Sequence, residues 1–188
     1  MDNRVYRRNL PHWHPEKTAI FITRRLYGSL PARRPKEHKQ ESAGKRFAAL
    51  DAALDASQQG PLWLKNPNIA GQVTSAVHYG AVALKFYQLH AFVVMPNHVH
   101  LLITPSVPMP RITNGLKGVT ARTANRMLSL QGNHFWQDES FDHWVRNRSE
   151  LARITHYIEQ NPVRAGLISQ ASLWPWSSAT NLSEEVTK

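Results

Sequence analysis

Two apolar runs on either side of Pro96-Asn97, at residues 91–95 and 99–104, constrain this chain more than any other feature. Short apolar runs that flank a turn signal predict two neighbouring strands. The second strand begins with His98 and His100, and side chains two residues apart in a strand point to the same face of the sheet. The sequence therefore predicts two adjacent imidazoles on rigid backbone. They are half of a metal site, because most of a divalent ion's coordination is left to other residues.

Composition and charge narrow the class of protein. A chain of 188 residues with 41% hydrophobic residues suits one domain with its own core. Lys and Arg number 23 against 13 Asp and Glu, so the formal charge is +10 and favours a polyanionic partner, first of all nucleic acid. The absence of cysteine excludes disulfides, thiolate zinc sites and a cysteine nucleophile, and fits a cytoplasmic location. No signal peptide or membrane span is predicted, because no run of about 18 apolar residues occurs.

The remaining chain alternates strand and helix patterns. A strand is predicted at residues 18–26, and short aromatic strands or a hairpin at residues 135–137 and 141–145. Helices are predicted at residues 41–57, from an N-cap at Asn68, at residues 112–130, and from Asn147 or Ser149 to residue 160. The last helix buries a stripe formed by Leu151, Ile154 and Ile158. Tyr157 and Asn161 flank this stripe one turn apart, so both can reach the surface on which it packs. Pro162 biases Asn161 away from helical backbone, so we expect the helix to end there.

If the stripe packs against the strand that carries the histidines, the site gains an amide oxygen and a phenol. A nearby divalent cation lowers the cost of forming phenolate, so the phenol of Tyr157 is a candidate nucleophile toward a phosphate. A lone tyrosine at a core edge is more often a packing residue, and an Asn before a proline is more often a helix stop. Tryptophans are also more often core residues than stacking surfaces for bases.

The chain resembles the HUH single-tyrosine transposases, the IS200/IS605-like group, and within it the REP-associated branch. The resemblance covers roughly residues 12–176 and is carried by four motifs: Met95-Pro96-Asn97-His98-Val99-His100-Leu101-Leu102, Phe135-Trp136-Gln137, Phe141-Asp142-His143-Trp144-Val145-Arg146-Asn147 and Tyr157-Ile158-Glu159-Gln160-Asn161-Pro162-Val163-Arg164-Ala165-Gly166-Leu167. Together these motifs are specific, whereas His98-Val99-His100 alone is weak.

The resemblance implies an α+β fold of the ferredoxin-like or RRM-like kind, with an antiparallel sheet, helices on one face and a C-terminal helix that carries the tyrosine. We expect a single domain over residues 1–176, with a helical insertion at about 31–66 and a polar tail at 177–188. The insertion is longer than the minimal pattern of the family.

The resemblance also implies the chemistry. Mg²⁺ or Mn²⁺ would be bound by His98, His100 and Asn161, and Tyr157 would attack a phosphodiester in single-stranded or hairpin DNA to give a 5′-phosphotyrosine and a free 3′-hydroxyl. The expected state is a monomer or a homodimer. From their charge or ring, the residues expected to contact DNA are Lys117, Arg122, Arg126, Arg146 and Trp136.

Three other classes compete with this interpretation. A His-triad hydrolase would need a third histidine where Leu102 stands, and a cupin-type oxygenase would need a carboxylate shortly after His100, where none occurs. The serious alternative is a host-adopted protein that binds DNA hairpins without cutting them.

Overall fold

The computed structural model describes residues 5–7, 11–13, 18–30, 43–56 and 60–181. Its strands and helices follow one another in the order β1 (Val5–Arg7), β2 (Pro11–Trp13), β3 (Ile20–Arg25), α1 (Ala43–Ala56), α2 (Pro67–Val82), β4 (Tyr87–Val94), β5 (His98–Pro105), α3 (Met109–Met127), β6 (Phe141–Trp144) and α4 (Arg148–Arg164). None of the described helices is long and apolar enough to cross a membrane.

The main sheet has four antiparallel strands in the order β4-β5-β3-β6, and β1 pairs with β2 separately. The connections that contain α2 and α3 each cross one strand of this sheet, which is the ferredoxin-like arrangement. The predicted α+β fold, with a tyrosine-bearing helix after the sheet, is confirmed.

The two faces of the sheet are covered by different helices. One face packs Ile22, Leu101 and their neighbours against α2 and α3. On the other face, Phe21 and Leu102 pack against Ile158 of α4 and against Phe47 of α1. His98 and His100 belong to this second face, because side chains alternate along β5 and share a face with Leu102. The histidines and the basic helix α3 therefore lie on opposite sides of the sheet.

Two predicted helix starts were wrong by two or three residues. The N-cap of α2 is Asn66 rather than Asn68, since the Asn66 side chain accepts a hydrogen bond of 3.0 Å from the Asn68 N–H and Pro67 occupies the first turn. Helix α3 begins at Met109 rather than at residue 112. Pro110 fits the first turn, because the N–H groups of that turn have no partner within the helix and proline has no N–H.

The predicted end of α4 was also wrong. The helix continues through Pro162 to Arg164. A proline in the last turn removes one intrahelical hydrogen bond, but the carbonyls of Asn161, Pro162 and Val163 still accept hydrogen bonds from the chain that follows. Gly166, at φ +67°, supplies the left-handed residue that ends the helix. As a result, Asn161 is held on regular helix within reach of the sheet.

The packed chain extends beyond Trp176. Ser177 pairs with Val93 of β4, the Ser178 hydroxyl bonds to the Phe92 backbone and Ala179 is buried. The first residues of the expected polar tail, 177–180, are thus packed, and residues 182–188 lie outside the described part. Of the expected insertion at 31–66, α1 and residues 60–66 are described, whereas 31–42 and 57–59 are not.

A glycine substitution tests how α2 packs on β4. A Cβ added to Gly80 would lie 2.5 Å from the Tyr87 hydroxyl, which is buried and donates a hydrogen bond of 2.7 Å to the Val77 carbonyl. We expect Gly80→Ala to lower the free energy of unfolding by about 1–3 kcal/mol. Gly115→Ala in α3, where no atom lies within 4 Å, should raise it by up to about 1 kcal/mol. Urea denaturation measures both, and equal stability of the two variants would contradict this packing.

Candidate metal centre

The two histidines are presented by a tight turn between β4 and β5. The Met95 N–H donates to the His98 carbonyl at 2.8 Å, so His98 is fixed as the first residue of β5 and His100 follows on the same face. The two Nε2 atoms are 3.1 Å apart, and both side chains are 0% exposed. The predicted pair of adjacent imidazoles is therefore present, and it is sealed from solvent.

Hydrogen bonds behind the imidazoles fix their orientation. Asn97 donates through Nδ2 to the Leu54 carbonyl at 2.8 Å, so its Oδ1, 2.7 Å from His98 Nδ1, accepts a hydrogen bond from the N–H of that nitrogen. The lone pair of His98 Nε2 then points into the site. The Thr23 hydroxyl lies 2.8 Å from His100 Nδ1 and holds the second ring in place. These are the supports that metal-ligating histidines need.

A carboxylate that the sequence analysis missed completes the cluster. Asp51 of α1 is 2% exposed, and its Oδ1 lies 3.0 Å from His100 Nε2 and 3.7 Å from His98 Nε2. Within the described residues, Asp51, His98 and His100 form the group of potential metal ligands whose atoms all lie within 4.8 Å of one another. One signal was available in the sequence: Asp51 shares a helix face with Phe47 and Leu54, so an acid stands in an apolar stripe.

Helix α4 brings the predicted phenol and amide to the same place. The Tyr157 hydroxyl and Asn161 Nδ2 both donate to Asp51 Oδ2, the second at 3.3 Å. Asn161 is 0% exposed, and its Oδ1 accepts no hydrogen bond from the described residues. The four residues expected at the centre, His98, His100, Tyr157 and Asn161, thus converge on one carboxylate.

Burial sets the charge of this cluster. Burial and the neighbouring His100 lower the pKa of His98 to about 3, against the opposing effect of Asp51. For Asp51, burial alone would raise the pKa, but its contacts with His100, His98 and Asn161 outweigh burial and hold it below its usual value. At neutral pH the site therefore contains a neutral His98 and an ionised Asp51, which are the protonation states that metal binding requires.

Aromatic rings and one cation surround the phenol. Phe21 and Phe47 meet the Tyr157 ring edge to face, with centroids 6.2 and 5.7 Å away, and Phe47 also lies 6.1 Å from the His100 ring. The Arg164 guanidinium lies 4.7 Å from the centroid of the Tyr157 ring. The phenol is thus fixed by packing, with a positive charge beside it.

The residues expected to contact DNA are not gathered at this centre. Arg122 and Arg126 are exposed on α3, across the sheet, and Lys117 on the same helix lies 3.5 Å from Asp138. Arg146 is exposed just before α4 and lies 3.5 Å from Glu150.

The expectation that Trp136 stacks on a base needs correction. Its side chain is 4% exposed and its Nε1 donates to the Thr120 hydroxyl at 2.8 Å, so its ring faces are covered by the core between α3 and the sheet. Trp144, at 38% exposed, is the more accessible tryptophan of the two motifs.

Comparison with known proteins identifies the family. The sequence profile described as "Transposase IS200 like" matches residues 68–161, which is half of the chain and includes His98, His100, Tyr157 and Asn161. The chain belongs to the IS200-like transposases. Asp51 lies outside the matched residues.

The relatives of this IS200-like transposase agree with that assignment. It is 27% identical over 93 residues to the REP-associated tyrosine transposase of Escherichia coli (strain K12), a match that covers 49% of this chain and 54% of that protein. A relative from Haemophilus influenzae is 24% identical over 103 residues, 49% of this chain and 58% of that protein. The chain thus spans a little over half the length of the curated relatives it matches.

A solved structure supports the fold. The chain is similar to a REP-associated tyrosine transposase bound to a REP hairpin, with a TM-score of 0.59 and 18% sequence identity. The similarity covers 97% of this chain and 87% of the other.

A second acid next to the cluster makes stability depend on pH. Burial, followed by the nearby charge of Asp51, raises the pKa of Asp55 from 3.8 to about 7, although Arg164 opposes the shift. The native protein therefore favours protonated Asp55, and the stability that this group contributes below pH 3.8 is lost as the pH rises through about 7. Asp55→Asn keeps the neutral form at every pH.

We expect Asp55→Asn to match wild type near pH 4 and to exceed it at pH 8 by about 1 kcal/mol, or roughly 2–4 °C in melting temperature, because solvent reaches part of the group. Thermal unfolding of both proteins from pH 4 to 8 measures the difference. His98, whose lowered pKa gives the opposite trend, cancels because it is present in both. A difference that does not change with pH would show that Asp55 is not buried beside Asp51.

Proposed function

We propose that this IS200-like transposase is a metal-dependent endonuclease and strand transferase for single-stranded DNA, with Tyr157 as nucleophile. The observation that carries the proposal is the convergence of the Tyr157 hydroxyl with the Nε2 atoms of two buried histidines, held in place by Asn97 and Thr23. A nucleophile beside ligands for a cation is the arrangement that phosphodiester cleavage needs.

The residues present fit Mg²⁺ or Mn²⁺. His98 and His100 offer two Nε2 atoms 3.1 Å apart, and Asn161 adds a buried Oδ1 that has no partner among the described residues. A cation held by these residues would polarise the scissile phosphate and offset its negative charge.

Tyr157 would attack the phosphorus in a transesterification. The bond from the phenol oxygen to phosphorus forms while the bond to the 3′-oxygen breaks, which gives a 5′-phosphotyrosine and a free 3′-hydroxyl. The phenol proton passes to solvent as the phenolate attacks, and the leaving 3′-oxygen takes a proton from solvent. Because the new ester keeps the energy of the old one, attack by a 3′-hydroxyl can reverse the step and join strands.

We infer that the substrate is single-stranded DNA with a hairpin, similar to a REP element. Support comes from the relative named a REP-associated tyrosine transposase and from the similar structure bound to a REP hairpin. The formal charge of +10 favours a polyanion of this kind. Arg122, Arg126 and Arg146 are exposed and available to its phosphates.

A binding protein without cleavage activity is the second candidate. Its support is the complete burial of His98, His100 and Asn161 beneath α1, because a strand cannot reach these residues while α1 covers them. A protein that kept the fold but in which α1 no longer moves away from the site would bind hairpins without cutting them.

Replacing the nucleophile separates the two candidates. Tyr157→Phe keeps the ring contacts with Phe21 and Phe47 but removes the attacking oxygen, so we expect normal hairpin binding and complete loss of covalent product. The assay is a denaturing gel of a hairpin oligonucleotide labelled on the 5′-phosphoryl side of the cut, incubated with Mn²⁺. Tyr79→Phe, at an exposed tyrosine of α2, is the matched control and should form as much adduct as wild type. An adduct that persists in Tyr157→Phe refutes the assignment, and its absence in wild type favours the binding protein.

The salt dependence of binding tests the path of the DNA. Each phosphate contact on a single strand contributes a slope of about −0.7 in log K against log salt. Replacing Lys117, Arg122 and Arg126 with Gln should therefore flatten the slope by up to about 2 if the hairpin lies along α3. The matched set on the face of the active centre is Arg146, Arg148 and Arg153. Fluorescence anisotropy measures both variants, and a change confined to this second set would exclude α3 from the DNA path.

A further inference from the structure

Helix α1 is an addition to the ferredoxin-like core. It lies between β3 and α2 and outside residues 68–161, which match the family profile. Nevertheless it reaches the centre of the site, where Asp51 is almost fully buried among the two histidines, Tyr157 and Asn161. This position needs an explanation that the family resemblance does not give.

We propose that Asp51 is the anionic ligand of the divalent cation at this site, so that α1 supplies a carboxylate that the core lacks. The inference rests on the proposed function only in that it names a ligand of the same metal site. It can be tested without DNA.

The spacing of the atoms supports a shared ion. Ligand atoms about 2.1 Å from one ion, at angles between roughly 90° and 120°, lie about 3.0–3.7 Å from one another. The three distances here are 3.1 Å between the two Nε2 atoms, 3.0 Å from Asp51 Oδ1 to His100 Nε2 and 3.7 Å from Asp51 Oδ1 to His98 Nε2. All three fall in the range expected for neighbouring ligands of a single ion.

Two buried oxygens of this cluster form no hydrogen bond of good geometry with the described residues: Asn161 Oδ1, and Asp51 Oδ1, which lies 3.0 Å from His100 Nε2. Such oxygens are costly in a protein interior unless a cation or a donor satisfies them. A cation held by the two histidines and Asp51 would satisfy Asp51 Oδ1.

The charge balance points the same way. Two neutral imidazoles and a neutral amide provide no negative charge for a dication in a site that is sealed from solvent. Burying an uncompensated charge is strongly unfavourable. The ionised Asp51 supplies one negative charge. Without Asp51, a cation beneath α1 would have no anionic ligand in the cluster, because a DNA strand does not reach the site while α1 covers it.

The second carboxylate oxygen of Asp51, Oδ2, contacts the nucleophile rather than the histidines. Oδ2 accepts hydrogen bonds from the Tyr157 hydroxyl and from Asn161, while Oδ1 faces the histidines. One carboxylate thus links the nucleophile to the cation. It also couples the cation to α1, because the ion binds most tightly when α1 lies over the site.

Metal affinity tests the assignment, with Mn²⁺ alone as the probe. In isothermal titration calorimetry of the full chain, we expect Asp51→Asn to weaken Mn²⁺ binding by roughly 100-fold, as loss of a charged ligand should. Asp55→Asn, one turn further along α1 and outside the group of potential ligands, should change the affinity by less than about threefold. Equal affinity of wild type and Asp51→Asn overturns the proposal.

Hydrogen exchange of the same proteins gives an independent readout. Mn²⁺ should slow amide exchange in residues 43–56 of wild type and Asp55→Asn but not of Asp51→Asn. Equal slowing in all three proteins also overturns the proposal. Failure of wild type to form a DNA adduct would count against the nuclease but not against the ligand, because Mn²⁺ binding is measured without DNA. If Asp51→Asn does not fold, Asp51→Ser tests the same loss of charge with a smaller side chain.

Discussion

The register between β3 and β5 is the constraint on which the rest of this site depends. It sets Thr23 opposite His100 and Arg25 opposite His98, which turns both imidazoles toward α4. A shift of one residue would turn Val99 and Leu101 to that side and send the histidines into the core beneath α2 and α3. The alternation of large apolar residues on both faces of β5 prevents the shift, because either face is fully packed. The metal centre is thus held by the same packing that stabilises the sheet.

The two layers of helices have different roles. Helices α2 and α3 cover one face and complete the larger core, so α3 presents its exposed arginines away from the histidines. Helices α1 and α4 cover the other face and deliver the carboxylate, the phenol and the amide of the site. A hairpin that contacts both α3 and the active centre would have to wrap around an edge of the sheet. The DNA path therefore depends on the shape of the sheet edge as well as on the positions of the basic residues.

Much of the site was predictable because its parts are close in sequence. The strand period places His98 and His100 together, and the helix period places Tyr157 and Asn161 one turn apart. These short-range rules hold whatever the rest of the chain does. The error at Pro162 came from the same kind of rule: a local preference against helix before proline was outweighed by hydrogen bonds from the residues after it.

The positions of Asp51 and Trp136 could not be predicted from those short-range rules. Asp51 is 106 residues from Tyr157 in the chain, and no local pattern states which surface an insertion helix will cover. Trp136 stands in an aromatic motif that suits either stacking on a base or packing in the core, and only its contact with Thr120 decides for the core. Trp136 pairs through its backbone with Leu26, the residue that follows β3, and this pairing places the Trp136 ring between the sheet and α3.

The sequence by itself determined the kind of fold, the family and the pairs of residues that one strand and one helix bring to the same side. It could do so because periodicity, capping and motif spacing act over a few residues at a time. Tertiary structure alone decided that α1 covers the imidazoles, that a carboxylate stands between them and the phenol, and that the basic helix lies across the sheet. Those outcomes depend on which apolar faces pack together, and the free energy of that packing is shared among residues distant in the chain.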